Sequence, residues 1–334
     1  MCMPAILRPL LAAVATVLLA WPALAGSFVF VVNQDDATLS VIDTDTDTVV
    51  DTISVGFAPA GIAASRDGKT LFVTHPERGL ISVIDAKARK VARKLHVGGT
   101  PFGIAVGQAD NLFVGDWNNN VVSVIDPLSG ARLRKIEVGQ SPAGIVTSPE
   151  GTLVVVANRE SNSVSVLNAT TFSVAATLPV GEAPFALAIS PDATRIYVAN
   201  VRSSNLSVLS TETLRPIGEV AVGAMPYGVT TTMDGANVLV ANQSAGMVSV
   251  IDAHDLKVIG KHKVGRFPEG LGATEDGRKA YVANWFSGDV SVLDAKTGEE
   301  IKRIKTGGGS RALVVVGGDE VQHAGAQIPA ASRH

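Results

Sequence analysis

The sequence predicts an all-β protein built of seven structural repeats, because two phrases recur along it at one common period. A Val-Gly-x-x-Pro-x-Gly phrase, varied at some positions, returns every 41 or 42 residues, and a Ser-Val-Ile/Leu phrase keeps the same interval. The first glycine of the former phrase falls at Gly56, Gly98, Gly139, Gly181, Gly223, Gly265 and Gly307. The serine of the latter falls at Ser40, Ser82, Ser123, Ser165, Ser207, Ser249 and Ser291. Two markers with the same period indicate an array of repeats.

Each repeat has the pattern of four short strands. In the repeat that begins at Pro184, apolar runs cover 186–190, 196–200, 206–209 and 217–222, and turn-forming residues separate them. The runs have strand length and many β-branched residues, and helical periodicity is absent. Four short antiparallel strands about every 42 residues are typical of a propeller blade. The sequence therefore predicts a seven-bladed β-propeller of four-stranded antiparallel blades.

The two ends of the chain predict how the ring closes. The sequence begins its first strand, over 28–33, on the second strand type, and it finishes on the first strand type over 312–316. One blade is therefore expected to pair N-terminal strands with the C-terminal strand, which removes an open sheet edge. We assign residues 26–317 to the propeller and expect 318–334 to be a disordered tail.

The first 25 residues have the pattern of a secretory signal peptide. Arg8 supplies a positive charge, residues 9–19 are mostly apolar, and residues 23–25 form an Ala-Leu-Ala cleavage site. The apolar run is shorter than the roughly 20 residues of a transmembrane helix, so we expect no membrane-spanning segment after cleavage. Cys2, the one cysteine of the sequence, would leave with the signal, which excludes disulfides and thiolate metal sites. We expect a monomer that is periplasmic or secreted.

Charge and motif content restrict the partners and cofactors. The chain carries 28 Lys and Arg against 31 Asp and Glu, without a long basic run, so the composition disfavours nucleic acid as a partner. Asp43, Asp45 and Asp47 begin like a calcium loop. Thr48 and Ser54 stand where that loop needs Gly and Glu, so we interpret the segment as a polar turn. We expect no cofactor and no bound metal.

Motifs within the repeat resemble those of a known family. Tyr-Val-Ala-Asn occurs at 197–200 and 281–284, together with Ser-Val-Ile-Asp strands and Pro-x-Gly-Ile-Ala-x-Ser-x-Asp-Gly segments. These motifs are similar to those of the YVTN-repeat β-propellers, which include archaeal surface-layer propellers and periplasmic YncE-like proteins. The resemblance covers essentially all of residues 26–317 and implies that the first strand of each repeat is innermost. It implies no one function, because a propeller is a scaffold that serves many roles.

Strand parity selects one face of the ring as the place for a site. In an antiparallel blade, the loop between the second and third strands lies on the same face as the crossover to the next blade. The opposite face carries Asp-Gly hairpins at 67–68, 234–235 and 276–277, which are ordinary turns. Because binding residues are often on loops of a rigid scaffold, we expect the site on the first face, which we call the mouth face.

Several mouth-face residues depart from the repeat in four contiguous blades. His75 and Asp116 stand where the other five repeats have Asn at the end of the second strand. The candidate ligand-binding residues are His75, Asp116, Trp117, Arg266, Glu269, Trp285 and Arg311. Aromatic side chains with a few charged groups are what a ligand site needs. Drift from the repeat, solvated surface charges and a purely structural Arg311–Glu269 pair are the alternative interpretations.

The residues favour a non-catalytic binding or accessory module that recognises a protein, a peptide or a small molecule at one channel mouth. The two Trp would be packing anchors, the Arg side chains would pair with an anionic group, and His75 would add pH dependence. The alternative is a lactonase-like hydrolase or lyase, with His75 as general base and Asp116 or Glu269 as acid or metal ligand. Single-stranded DNA binding, suggested for YncE-like relatives, is a third hypothesis that the acidic balance disfavours.

Overall fold

The computed structural model describes residues 27–317, and in this range the chain folds into seven four-stranded antiparallel sheets. The predicted seven-bladed β-propeller is therefore confirmed. The predicted signal peptide and tail lie outside the described residues. Within residues 27–317, no helix is both long and apolar enough to span a membrane.

Four strands make each blade, and blades 1 to 7 are numbered along the chain from the blade that joins its two ends. The innermost strands are, in blade order, β28 (Ser310–Val316), β4 (Ile62–Ala64), β8 (Pro101–Val106), β12 (Pro142–Thr147), β16 (Pro184–Ile189), β20 (Pro226–Thr231) and β24 (Pro268–Ala273). The second strands are β1 (Phe28–Asn33), β5 (Thr70–His75), β9 (Leu112–Asp116), β13 (Leu153–Asn158), β17 (Arg195–Asn200), β21 (Asn237–Asn242) and β25 (Lys279–Asn284). The third strands are β2 (Thr38–Asp43), β6 (Leu80–Asp85), β10 (Val121–Ile125), β14 (Ser163–Asn168), β18 (Asn205–Ser210), β22 (Met247–Asp252) and β26 (Asp289–Asp294). The outermost strands are β3 (Thr48–Ser54), β7 (Lys90–His96), β11 (Arg132–Glu137), β15 (Ser173–Pro179), β19 (Pro216–Ala221), β23 (Lys257–Lys263) and β27 (Glu300–Lys305). Short 3-10 helices cover Pro76–Arg78, Gln108–Asp110 and Arg159–Ser161.

The ring closes in blade 1, where the C-terminal strand β28 pairs with the N-terminal strand β1. A buried polar contact joins this blade to blade 7. The hydroxyl of Tyr281 donates to Asp47 Oδ1 at 2.6 Å, and Lys279 Nζ donates to Asp47 Oδ2 at 2.7 Å. Asp47 is thereby committed to holding two blades together, which agrees with the interpretation of the acidic segment as structural. Burial raises the pKa of Tyr281, so its hydroxyl stays protonated and donates.

The recurring Asn, Ser and Gly of the sequence form one unit in three dimensions. In blade 4, Nδ2 of Asn158 at the end of β13 donates to Oγ of Ser165 on β14 at 2.9 Å. Gly139 lies against the same Asn, and a Cβ at Gly139 would come within 2.6 Å of the Asn158 Cβ. The equivalent Asn–Ser bond is 2.9 to 3.0 Å long in blades 1, 5, 6 and 7. This shared unit explains why the two sequence markers keep one period.

The core lies between neighbouring blades, and the innermost strands pack closely around the channel. Between blades 5 and 6, Tyr197 and Val208 contact Val238 and Val240 in one buried cluster. Near the axis, a Cβ added to Gly103 would overlap the carbonyl oxygen of Ala143 in the next blade. Gly103 therefore allows the two neighbouring innermost strands to approach this closely.

Candidate functional site

The channel mouth is ringed by the middle residue of each Pro-x-Gly segment or its counterpart. In blade order from blade 1, these residues are Arg311, Ala60, Phe102, Ala143, Phe185, Tyr227 and Glu269. The channel behind them encloses about 230 Å³. One side of the mouth is thus aromatic and the other is charged.

An aromatic arc covers blades 3 to 6. The ring centroids of Trp117 and Phe102 are 5.0 Å apart, those of Phe102 and Phe185 are 5.9 Å apart, and those of Phe185 and Tyr227 are 4.6 Å apart. Phe102 and Phe185 belong to blades 3 and 5. They touch because the blade between them has only Ala143 at this position. The predicted residue Trp117 is therefore part of a continuous apolar surface.

The charged side of the mouth consists of the buried ion pair of Arg311 and Glu269, and a glutamine side chain hydrogen-bonds to each member of the pair. Nη2 of Arg311 lies 3.6 Å from Oε2 of Glu269, and these side chains are only 17% and 11% exposed. Gln243 Nε2 donates to Glu269 Oε1 at 2.7 Å, and Arg311 Nη1 donates to Gln34 Oε1 at 2.9 Å. Burial raises the pKa of Glu269, while Arg311 and the Gln243 hydrogen bond oppose that rise. The guanidinium also lies 5.5 Å from the Phe102 ring centroid, which connects the pair to the aromatic arc.

A second aromatic group lies on the same face in blade 7, and we call it the aromatic platform. It consists of Phe267, Trp285 and Phe286, whose ring centroids are 5.6 to 6.5 Å apart. The guanidinium carbon of Arg266 lies 4.5 Å above the Phe286 ring. Phe286 is 56% exposed and Phe267 is 41% exposed. The predicted Arg266 and Trp285 therefore belong to a surface of three aromatic rings and one cation.

His75 does not lie at the mouth, contrary to its predicted role in a ligand site. It is 1% exposed, its Nδ1 lies 2.9 Å from the carbonyl oxygen of Phe57, and its Nε2 lies 2.9 Å from Oγ of Ser82. Because a carbonyl only accepts, Nδ1 carries the proton and Nε2 accepts from the Ser82 hydroxyl. The imidazole of His75 thus takes the place of the Asn found in most repeats and hydrogen-bonds to the Ser of the same repeat position. A general base needs a lone pair that a substrate can reach, and the His75 lone pair is already used.

The His75→Asn variant is expected to restore the repeat and to change the pH dependence of stability. Burial lowers the pKa of His75 below its ordinary 6.5, so the unfolded chain binds a proton in a range where the folded protein does not. The wild type should therefore lose unfolding free energy as the pH falls below 6.5. The variant should lack this loss and match the wild type within about 1 kcal/mol near neutral pH. Urea unfolding across this pH range measures both, and parallel pH profiles for the two proteins would contradict the assignment.

Asp116 also has a structural position, as the Asn counterpart of blade 3. Its Oδ1 accepts from the backbone N–H of Thr100 at 3.1 Å and from that of Asn119 at 3.3 Å. Its Oδ2 accepts from the Asn119 side chain at 2.8 Å. The carboxylate is therefore occupied with closing its own loops. Of the seven predicted site residues, the structure thus places five at the mouth or on the aromatic platform. The other two, His75 and Asp116, are hydrogen-bonded to neighbouring loops.

Metal-binding geometry is confined, within residues 27–317, to one group on an exposed turn, Asp252, His254 and Asp255. Asp252 Oδ1 accepts from the backbone N–H groups of His254 and Asp255 at 2.9 and 2.7 Å. Carboxylates that cap exposed turns in this way are common without an ion. We assign no metal to them.

Family models match two separate parts of the chain. The model described as YNCE-like beta-propeller matches residues 17–112. The model described as Lactonase, 7-bladed beta-propeller, matches residues 134–213. The resemblance to YncE-like propellers is confirmed. No curated protein matches the chain.

Solved structures share the fold of this chain at low sequence identity. Kuenenia stuttgartiensis hydrazine synthase is 19% identical with a TM-score of 0.71, over 84% of this chain and 99% of that one. A functionally unknown protein from Desulfotomaculum acetoxidans DSM 771 is 17% identical with a TM-score of 0.76, over 86% and 98%. Dihydro-heme d1 dehydrogenase NirN in complex with DHE is 18% identical with a TM-score of 0.64, over 83% of this chain and 63% of that one. At these identities the likeness shows the fold alone.

Sequence reasoning missed several residues of the mouth, although the repeat register contained a signal for them. Gln34 and Gln243 follow the Asn that ends the second strand, which is the repeat position of Trp117 and Trp285. Phe286 occupies the next position. The other six repeats have Asp, Glu, Asn, Glu, Arg and Ser at this position, so Phe286 could have been recognised as its single aromatic residue.

Proposed function

We propose that the chain is a secreted or periplasmic, non-catalytic binding module that docks a partner protein through the mouth face of blade 7. The aromatic platform carries this proposal. Large aromatic side chains are rarely left exposed together on a monomer without an interaction role. Trp and Arg are also the residue types most enriched among interface residues that dominate binding.

The chemistry of the platform specifies the contact on the partner. Phe267, Trp285 and Phe286 offer an apolar surface, and Arg266 at its edge offers N–H donors. A partner that places an apolar side chain on the rings and a carboxylate against Arg266 satisfies both. In the ion pair at the mouth, Glu269 belongs to blade 7, like the platform, and Arg311 belongs to the neighbouring blade 1. The pair adds a polar rim next to the apolar centre.

The hydrolase alternative has less support from the mouth. The lactonase model matches residues 134–213, and this range contains none of the seven predicted site residues. His75, which that alternative needs as its base, is enclosed and hydrogen-bonded at both ring nitrogens. Secretion is supported by the signal-peptide pattern of residues 1–25, and recovery of a chain that begins at Gly26 from a periplasmic or culture fraction would test it.

A variant-controlled affinity capture tests the docking surface. Immobilised wild type, the Trp285→Ala/Phe286→Ala double variant and a Leu128→Ala control are exposed to an extract of the producing cells. Leu128 is 78% exposed on a turn of the opposite face, so its loss removes exposed apolar surface elsewhere. A partner retained by wild type and control, and lost by the double variant, is then purified and titrated calorimetrically. We expect the double variant to bind it at least about 30-fold more weakly. If the partner bound the three proteins with equal affinity, the proposal would be contradicted.

A further inference from the structure

A groove of about 1100 Å³ lies on the face opposite the mouth, at the junction of blades 1 and 2. It is lined by parts of β1 and β28 from blade 1, by the 64–70 hairpin, the 83–89 segment and β7 from blade 2, and by Glu275 of blade 7. Its lining shares no residue with the channel mouth. The volume is close to that of pockets that hold small molecules, which are about 300–1,000 Å³.

Small side chains in blade 2 line part of the groove. Ala92 is the unpaired residue of a bulge in the outermost strand, where the register skips from Val91 to Arg93. The matching positions of blades 1, 3, 4, 5, 6 and 7 hold Val50, Leu133, Ala175, Ile217, Ile259 and Ile301. Ala64 and Ala88 also line the groove. By repeat position, blade 2 alone has Ala at all three sites.

The floor of the groove is apolar. Phe28 and Phe30 of β1 and Val316 of β28 line it from the blade 1 side. Phe30 and Val316 belong to the buried core between blades 1 and 2, and Phe28 packs against that core while remaining partly accessible. An apolar chain laid over this floor, where Phe28 is the accessible side chain, would be removed from water, which stabilises binding.

The lining holds five cationic and three acidic residues. Two of the cations have acidic partners, since Lys69 Nζ lies 3.6 Å from Asp67 Oδ2 and Arg89 Nη1 lies 3.9 Å from Asp51 Oδ2. Arg66 Nη2 donates to the carbonyl oxygen of Pro149 at 2.9 Å, and Arg93 Nη1 donates to that of Leu128 at 2.9 Å. These neutral partners fix the guanidinium groups without cancelling their charge. Among the acids, Asp67 accepts from the Ser65 hydroxyl at 2.6 Å, and Asp85 accepts from a backbone N–H of its own turn at 2.7 Å.

We propose that this groove binds an amphipathic anion, a molecule with an extended apolar chain and a carboxylate or phosphate head. The apolar chain lies on the Phe28, Phe30 and Val316 floor, and the anionic head is held by the cations of the wall. Complementary charge and an apolar floor in one groove favour this class over an uncharged or a cationic ligand. The site is separate from the mouth face, so it stands whether or not a protein docks on blade 7.

Isothermal titration with defined amphiphiles, below their micelle concentrations, tests the proposal. Dodecanoate and dodecyl phosphate are the probes, and the tighter of the two identifies the head group. Dodecyltrimethylammonium, with the same chain and the opposite charge, is expected to bind at least about 10-fold more weakly. Acetate, which has the head without the chain, should give no measurable heat of binding.

Matched variants place the binding in the groove. Ala92→Leu restores the large side chain found in most blades and should weaken dodecanoate binding about 10-fold by filling the groove. Ala175→Leu makes the same change at the same repeat position in blade 4 and should leave the affinity unchanged. Arg66→Gln keeps a donor for the Pro149 carbonyl but removes the charge, and about a 10-fold loss is expected.

Three results would overturn the proposal. Equal affinity for the cationic amphiphile would show non-specific adsorption, and equal effects of Ala92→Leu and Ala175→Leu would place the binding elsewhere. Binding that arises only in a chain ending at Gly317 would assign the groove to the chain's own segment 318–334. Unchanged unfolding free energies of the variants, measured in urea without ligand, separate lost binding from lost folding.

Discussion

Arg311→Met is expected to destabilise the protein by about 3 kcal/mol near neutral pH, because it leaves the buried Glu269 carboxylate without its cation. Methionine keeps most of the volume of the arginine stem, so the loss is electrostatic rather than a cavity effect. Breaking a buried pair by removing one partner is costly even where the intact pair adds little net stability. Urea unfolding followed by tryptophan fluorescence measures the difference.

The pH dependence separates this mechanism from loss of packing. Burial raises the pKa of Glu269 above its ordinary 4.5, so the folded protein keeps a proton in a range where the unfolded chain has released it. Unfolding free energy therefore falls as the pH rises through that range. In the variant, the Arg311 charge no longer opposes the rise in pKa, so the fall should be larger and extend to higher pH.

Two controls sharpen the Arg311 result. Near pH 4 the variant should approach the wild type, because Glu269 is then largely protonated in both states. The Glu269→Gln/Arg311→Met double variant should recover most of the loss at neutral pH, since no buried charge remains. A loss of equal size at both pH values would show that the pair is a packing feature and that its charge has no role at the mouth.

The fold was predictable from the sequence because the residues that define each blade recur within every repeat. Gly139 lies against Asn158, and Asn158 donates to Ser165, so the spacing along the chain reflects one structural unit. The face that carries the crossovers and the loops between second and third strands could also be derived, since strand parity alone places them on one side. Ring closure followed from the strand types at the two ends.

The site was predictable only in part, because departures from a repeat have two physical origins. His75 and Asp116 differ from Asn in the sequence but fill the Asn position and hold the same loops. Trp117, Trp285 and Arg266 differ at positions where the side chains pack on aromatic rings and build surface. The contacts of each side chain distinguish the two classes, and these contacts depend on its position within its blade rather than on residue type.

Contacts between blades were the other part that sequence periodicity could not supply. The contact of Phe102 with Phe185 crosses an intervening blade and depends on Ala143 being small. The groove at blades 1 and 2 is likewise lined by three alanines of blade 2 that stand out only against the equivalent positions of the other blades. Such features follow from comparing equivalent positions around the closed ring, which requires the register of every strand.

Gly103→Ala is expected to destabilise the protein by about 3 kcal/mol, although it adds only one methyl group. The new Cβ would overlap the carbonyl oxygen of Ala143 on the neighbouring innermost strand. Because that contact is with backbone, no side-chain rotation relieves it, and either β8 or β12 must move. Since these strands also place Phe102 and Ala143 at the mouth, the same movement should disturb the aromatic arc.

The chain provides a matched control for Gly103, because blade 5 has Ala186 at the equivalent position. Ala186→Gly is the reverse change at a site that already accommodates a methyl group, and we expect it to cost less than about 1 kcal/mol. Urea unfolding of both variants measures the difference. If Gly103→Ala were as mild as Ala186→Gly, the glycine of Pro-x-Gly would not be needed for strand approach. A large loss confined to Gly103→Ala would instead show that backbone contact between neighbouring blades limits the spacing of the innermost strands, and therefore the width of the channel mouth.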